Sequence, residues 1–221
     1  MLKEYKKHFL PLESNPDVFN ELIRLLGAKD DIAFEDVLTL DEPELLPHPA
    51  LAVVLVLQTT PADDQKKVAM EATRPDYDGE DGEPVLWFQQ RIHNACGLYA
   101  ILHALCNVEP HRFLGTILEV DLPIERAYAA VAAKGDSAVP NSAEDEVYFH
   151  YICFVRSDDD GCLYELDGDR KGPVSLGKVD VGEHGDILTA DTVSLIRNYI
   201  DQGEGNIGYN LMALVNRSAA Q

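Results

Sequence analysis

The sequence predicts an α+β protein, with an antiparallel or mixed sheet flanked by helices. Helical and strand-like stretches mix along the chain without a repeating βαβ rhythm. The most apolar run, Pro49 to Leu57, has no polar alternation, as expected of a central strand buried on both faces. No internal repeat or interdomain linker interrupts the 221 residues, so a single domain over residues 1–221 is expected.

The elements follow in order. Asn15 can cap a helix that has Pro16 at its first position. Phe19, Leu22, Ile23, Leu25 and Leu26 then recur at helical spacing until Gly27. A short strand is expected over Phe34–Leu38, and the central strand over Leu51–Leu57. Residues 61–84 are polar and read as an exposed, mobile loop. Helices are expected from Asn94 to Leu105, around Phe113–Val120 and over Ala127–Ala133, with Gly135 ending the last. Residues 136–146 read as a surface loop. Strands Val147–Val155 and Gly161–Leu166 flank a hairpin turn at Ser157–Gly161. A further extended stretch near Gly172–Leu176, a helix over about Thr189–Ile200 and a final strand Asn210–Val215 complete the pattern.

Composition excludes several classes. With 39 acidic residues against 18 Lys plus Arg, the net charge is -21. Nucleic acid and anionic membrane surfaces are poor partners for such a chain, because phosphate contacts need cations. A basic protein partner suits it. The apolar run is too short to span a bilayer, and no apolar h-region follows the basic start, which predicts a cytoplasmic protein with access to the nucleus. The four cysteines, Cys96, Cys106, Cys153 and Cys162, form no CxxC pair, which speaks for a reducing compartment and against a zinc site.

Two distant segments offer the parts of a cysteine hydrolase. The first is Gln90-Arg91-Ile92-His93-Asn94-Ala95-Cys96-Gly97; the second runs from His150 to Leu163-Tyr164-Glu165-Leu166-Asp167-Gly168. Cys96 stands at an expected helix start, where free backbone N–H groups favour a thiolate. Gly97 removes bulk beside the sulfur. A hairpin between His150 and Asp167 can bring them side by side, with Asp167 orienting the ring. Gln90 can supply an oxyanion donor. Each residue alone has a plainer use: Cys96 in the core, His150 on the solvent side of an edge strand, Asp167-Gly168-Asp169 as a turn.

Taken together these motifs resemble the ubiquitin carboxyl-terminal hydrolase family of papain-like cysteine peptidases (peptidase family C12), in its small single-domain type. The resemblance rests on Gln90 to Gly97, His150 with Leu163 to Gly168, the run Pro11 to Pro16, Phe34 to Val37, and Tyr209 to Leu214, in the family's order. It implies a mostly antiparallel sheet with helices on both sides, in α-β-α layers with a knotted backbone. It implies Cys96 as nucleophile, His150 as base, Asp167 as orienter and Gln90 as oxyanion donor. It also implies that the substrate tail runs against Pro11, Leu12, Glu13, Asn15, Asn94 and Gly97. The expected partner is ubiquitin, with the neddylation modifier as a secondary substrate; the expected state is a monomer that needs no cofactor and no metal. The segment before His150 corresponds to the family's crossover loop, and its shortness implies small leaving groups. His48 departs from the family, which usually has arginine before that proline. The chain stops soon after the last strand, without the helical tail of larger relatives. A catalytically dead ubiquitin-binding module and a convergent thiol hydrolase are the rival readings.

Overall fold

A computed structural model describes residues 5–77, 79, 82–108, 121–135, 140, 142–145, 147–201 and 208–219. Among them the chain forms five α-helices and one six-stranded sheet. The helices are α1 (Pro16–Leu25), α2 (Pro61–Ala72), α3 (Cys96–Val108), α4 (Asp121–Ala132) and α5 (Ala190–Asp201). The strands are β1 (Ile32–Asp36), β2 (Ala50–Gln58), β3 (Phe149–Arg156), β4 (Cys162–Leu166), β5 (Val174–Lys178) and β6 (Tyr209–Asn216). Every neighbouring pair is antiparallel, in the order β1-β6-β2-β3-β4-β5. The expected α+β class holds, with a sheet that is antiparallel throughout.

β2 lies between β6 and β3, as its unbroken apolar run requires. Its side chains alternate between two cores. Ala52, Val54 and Val56 face α1, α3 and α4, while Val53 and Leu55 face α5. The larger core gathers Phe19, Leu22 and Ile23 of α1, Leu98, Ile101 and Leu105 of α3, and Tyr128 and Val131 of α4. Each fully buried Leu, Ile or Phe contributes about 1.5–3 kcal/mol to holding its helix on the sheet. On the other face Ile196 and Ile200 of α5 cover Ile152, Phe154 and Leu211. Helices therefore flank both sides.

α1 starts as the sequence dictates: the Asn15 side chain accepts from Asp17 N at 2.8 Å, with Pro16 behind it. Gly27, with φ of 93°, ends it in the left-handed region. Asn20 serves the outermost strand, donating to Phe34 O at 2.9 Å and accepting from Phe34 N at 2.7 Å.

Three expectations are corrected. The polar stretch beginning at residue 61 is not loop but helix α2 over Pro61–Ala72. Thr60 caps it in a reciprocal box with Asp63, so local hydrogen bonds start a helix that lacks an apolar stripe. β1 begins and ends two residues earlier than expected, leaving Leu38 83% exposed. α4 begins at Asp121, ahead of the alanine-rich segment that signalled it. The helix expected around residues 113–120 lies outside the described residues. The departure at His48 has a local account: its Nδ1 bonds Asp186 Oδ2, while Asp186 Oδ1 accepts from Ala50 N and Leu188 N at 3.0 Å each. That carboxylate ties the entry of β2 to the segment leading into α5.

Candidate active site

Cys96 is the first residue of α3 and is partly exposed, whereas Cys106 and Cys153 are buried. Burial pushes the Cys106 thiol up to about 12 and raises Cys153 further, so both are inert at neutral pH. The turn into α3 is made at Asn94, whose φ of 56° lies in the left-handed region that asparagine tolerates. Its side-chain Nδ2 donates to Ala143 O at 3.1 Å and Asp145 O at 3.0 Å, holding the loop that precedes β3.

His150 lies near the start of β3, an interior strand between β2 and β4, and its side chain is 15% exposed. The edge-strand reading of His150 is thereby set aside. The β3–β4 ladder ends at Cys153 opposite Leu166, so His150 and Asp167 reach each other diagonally just beyond it. His150 Nε2 donates to Asp167 Oδ1 at 2.8 Å. That bond fixes the ring and leaves Nδ1 as the nitrogen available to the Cys96 thiol. Burial works against charge on the ring. The Asp167 carboxylate outweighs it, and with a hydrogen bond involving Cys96 lifts the imidazole to about 10. His150 is therefore protonated at neutral pH, the state in which it pairs with a thiolate.

Asp167, 1% exposed, closes β4. Burial opposes its charge, yet His150 and Lys67 hold its carboxyl well below the usual carboxylate range. Oδ1 also accepts from Asp169 N at 2.8 Å, and Oδ2 pairs with Lys67 Nζ at 2.8 Å. The turn reading of Asp167-Gly168-Asp169 is accurate as far as it goes; the turn aims the carboxylate inward. Gly168 is demanded by close approach, since a Cβ there would stand 3.1 Å from Gln90 N and 3.2 Å from Phe88 O. The same approach allows Gln90 N to donate to Gly168 O at 2.7 Å and Trp87 Nε1 to Asp167 O at 2.9 Å.

Gln90 is 6% exposed. Its Nε2 donates to Ile92 O at 3.0 Å; among the described residues its second N–H is uncommitted and its buried Oε1 has no partner. His103, behind this segment, accepts from Phe88 N at 3.0 Å; burial lowers it to about 4, so it is a neutral brace.

Beside Cys96 opens a cavity of about 450 Å³. Pro11, Leu12, Glu13 and Asn94, expected as contacts of the substrate tail, line it together with Ser14, Phe149, Tyr151, Tyr209 and Asn210, which were not among those expected contacts. Tyr151 OH donates to Leu12 O at 2.8 Å and Ser14 Oγ to Asn210 Oδ1 at 2.7 Å, pinning the N-terminal segment across the sheet end. Two nominated substrate contacts do other work. Asn15 is spent on capping α1. Gly97 lies against Leu12, whose Cβ would be 3.3 Å from a Cβ at that position, so the missing side chain admits the N-terminal segment.

The residue that sequence reasoning missed is Lys67. It lies on α2, within the stretch read as loop, and the signal that could have found it is the capping pair Thr60 and Asp63.

A thiol at a helix start, an imidazole on an interior strand and a carboxylate at the next strand's end define a papain-like cysteine hydrolase arrangement. The sequence model described as "Ubiquitin carboxyl-terminal hydrolase, family 1" matches residues 9–118 and 111–201. Ubiquitin carboxyl-terminal hydrolase 3 of Arabidopsis thaliana is 30% identical over 236 aligned residues, covering 96% of each chain. Ubiquitin carboxyl-terminal hydrolase YUH1 of Saccharomyces cerevisiae is 34% identical over 77% of this chain and 79% of its own. The UCH37 catalytic domain of Trichinella spiralis, solved bound to ubiquitin vinyl methyl ester, superposes with a TM-score of 0.66 at 23% identity, over 96% of each chain. The chain belongs to the ubiquitin carboxyl-terminal hydrolase family.

Proposed function

We propose that Cys96, His150, Asp167 and Gln90 are the catalytic machinery of the cysteine-type deubiquitinase that this family membership defines. The observation that carries the assignment is the 2.8 Å bond between His150 Nε2 and the buried Asp167, on a ring whose charged form Asp167 and Cys96 both favour. The Cys96 thiolate attacks the carbonyl of the C-terminal glycine of ubiquitin. The uncommitted N–H of Gln90 and the backbone N–H of Cys96 receive the oxyanion. His150 gives its Nδ1 proton to the departing amine or alcohol, leaving an acyl-enzyme. The now neutral ring takes a proton from water, whose oxygen displaces Cys96, and the imidazolium is restored. The cavity beside Cys96 suits an extended substrate tail, and the acidic chain suits the arginines of that tail. No cofactor or metal enters these steps.

The same proposal includes turnover of the neddylation modifier as a secondary substrate and a monomeric, single-domain enzyme in the cytoplasm and nucleus. The test is incubation with ubiquitin, and separately with the neddylation modifier, each carrying a C-terminal electrophile. Mass spectrometry should find the adduct on Cys96 and none on Cys96→Ala. A folded protein that forms no adduct with either reagent would be a binding module, and the assignment would fall. Gel filtration and cell fractionation test the remaining parts.

A further inference from the structure

Lys67 bonds the orienting carboxylate at the oxygen that the histidine leaves free. Its Nζ lies 2.8 Å from Asp167 Oδ2, 3.6 Å from Asp169 Oδ2 and 3.3 Å from His150 Nε2. Because Nε2 already donates to Asp167, the last contact is between two donors, a repulsion and not a bond. The ammonium is placed by its helix. Four residues on, Glu71 accepts from Lys171 N at 2.8 Å, Arg170 Nη1 at 2.9 Å and Arg74 Nη1 at 3.1 Å. One face of α2 thus grips the whole Asp167–Lys171 turn.

We propose that Lys67 is a positioning residue, which fixes the free oxygen of Asp167 and weakens that carboxylate's hold on the His150 proton. The inference rests on the catalytic reading above. Asp167 and Asp169 present two carboxylates to the ring from the end of β4 and the turn after it. Cys96 faces it from α3, and Tyr5, of the N-terminal segment, bonds Asp169 Oδ1 at 3.1 Å. Lys67 opposes them from α2, and Arg170, in the turn after β4, adds a second positive charge near Asp167. Burial disfavours its charge, but Asp167 and Asp169 keep its pKa above the ordinary lysine value, so it stays charged while His150 titrates. His150 must release its proton to the leaving group. A ring held too tightly by Asp167 is a poorer acid, and an ammonium beside both partners offsets that.

The test compares Lys67→Met, Lys67→Gln and Lys67→Arg in the full chain. Removal of the charge should raise the His150 ring titration, followed by NMR, by about one pH unit, and the alkaline limb of kcat/KM with it. On a ubiquitin amide kcat should fall about tenfold with KM unchanged, whereas a ubiquitin thioester, whose thiolate leaves unprotonated, should lose little. Lys67→Arg should keep the parental limb. A rate loss with the ring titration unmoved in Met and Gln variants would make Lys67 merely structural and overturn the proposal. The ring titration needs no substrate. A parent inert toward ubiquitin would therefore defeat the catalytic reading without deciding this one.

Discussion

Cys96 and Gln90 make opposite demands on a mutational test. Cys96→Ala deletes the proposed nucleophile, a single sulfur in a partly open site, so turnover should drop about 10⁴-fold or more while ubiquitin affinity persists. Calorimetry beside a turnover assay separates the two; residual hydrolysis within tenfold of the parent would dismiss Cys96. Gln90→Ala should cost about 10²-fold in kcat with KM steady, as loss of one oxyanion donor does. A raised KM at constant kcat would make it a ground-state contact instead. Cys96, His150 and Asp167 were legible because each interrupts a clear pattern: polar context at a helix start, a histidine in an apolar strand, an aspartate at a strand end. Lys67 was not, since one lysine in a polar stretch carries no such contrast. The packing of Leu12 against Gly97 was not legible either, because its partner lies more than eighty residues earlier.

At the scale of elements, α1 and β2 announce themselves through a cap and a continuous apolar run. α2 does not, because Glu71 is its only buried residue. That helix is held by ion pairs, and its hold on the turn after β4 can be measured. Glu71→Ala leaves Arg170 with Glu165 and Arg74 Nη2 with Pro173 O, but strips Lys171 N and Arg74 Nη1 of their acceptor. It should destabilise the protein by about 1–3 kcal/mol, read from urea unfolding, and lower kcat. An unchanged unfolding midpoint would show that α2 rests on the sheet without the clamp. The loop between α4 and β3 offers a second test. Asn94 ties it down at Ala143 and Asp145, so its free span is shorter than the segment itself. At ~3.5 Å per residue such a span cannot encircle a folded domain. A ubiquitin–peptide fusion should be cleaved much faster than isopeptide-linked diubiquitin, and Gly/Ser insertion should narrow the gap. Equal rates in the parent would end the gating idea.

For the molecule as a whole, charge sets the working range. The raised imidazole of His150 contributes stability that is full below its unfolded value, near 6.5, and is lost as pH rises toward about 10. The depressed carboxyl of Asp167 works in the other direction: its share is present above the unfolded carboxylate value and fades as pH falls through the folded one. The melting temperature should therefore decline on the alkaline side in the parent, and His150→Gln should flatten that decline. A parallel decline in both would assign it to other groups. The net charge of -21 adds self-repulsion, so moderate salt should raise the melting temperature even as it slows encounter with a basic tail.

β6 sits between β1 and β2, although it is the last strand to be made. The cavity wall likewise joins Pro11–Ser14 to Tyr209–Asn210, the two ends of the chain. On the ribosome the nucleophile emerges more than a hundred residues before the strand that completes its surroundings. A nascent chain stalled short of residue 209 carries the thiol, the imidazole and the carboxylate but has neither a closed sheet nor a cleft. Pairings this distant in sequence also make folding slow once β6 has emerged. Activity should then lag behind the emergence of β6, so a newly made domain spends its first moments as cargo for chaperones.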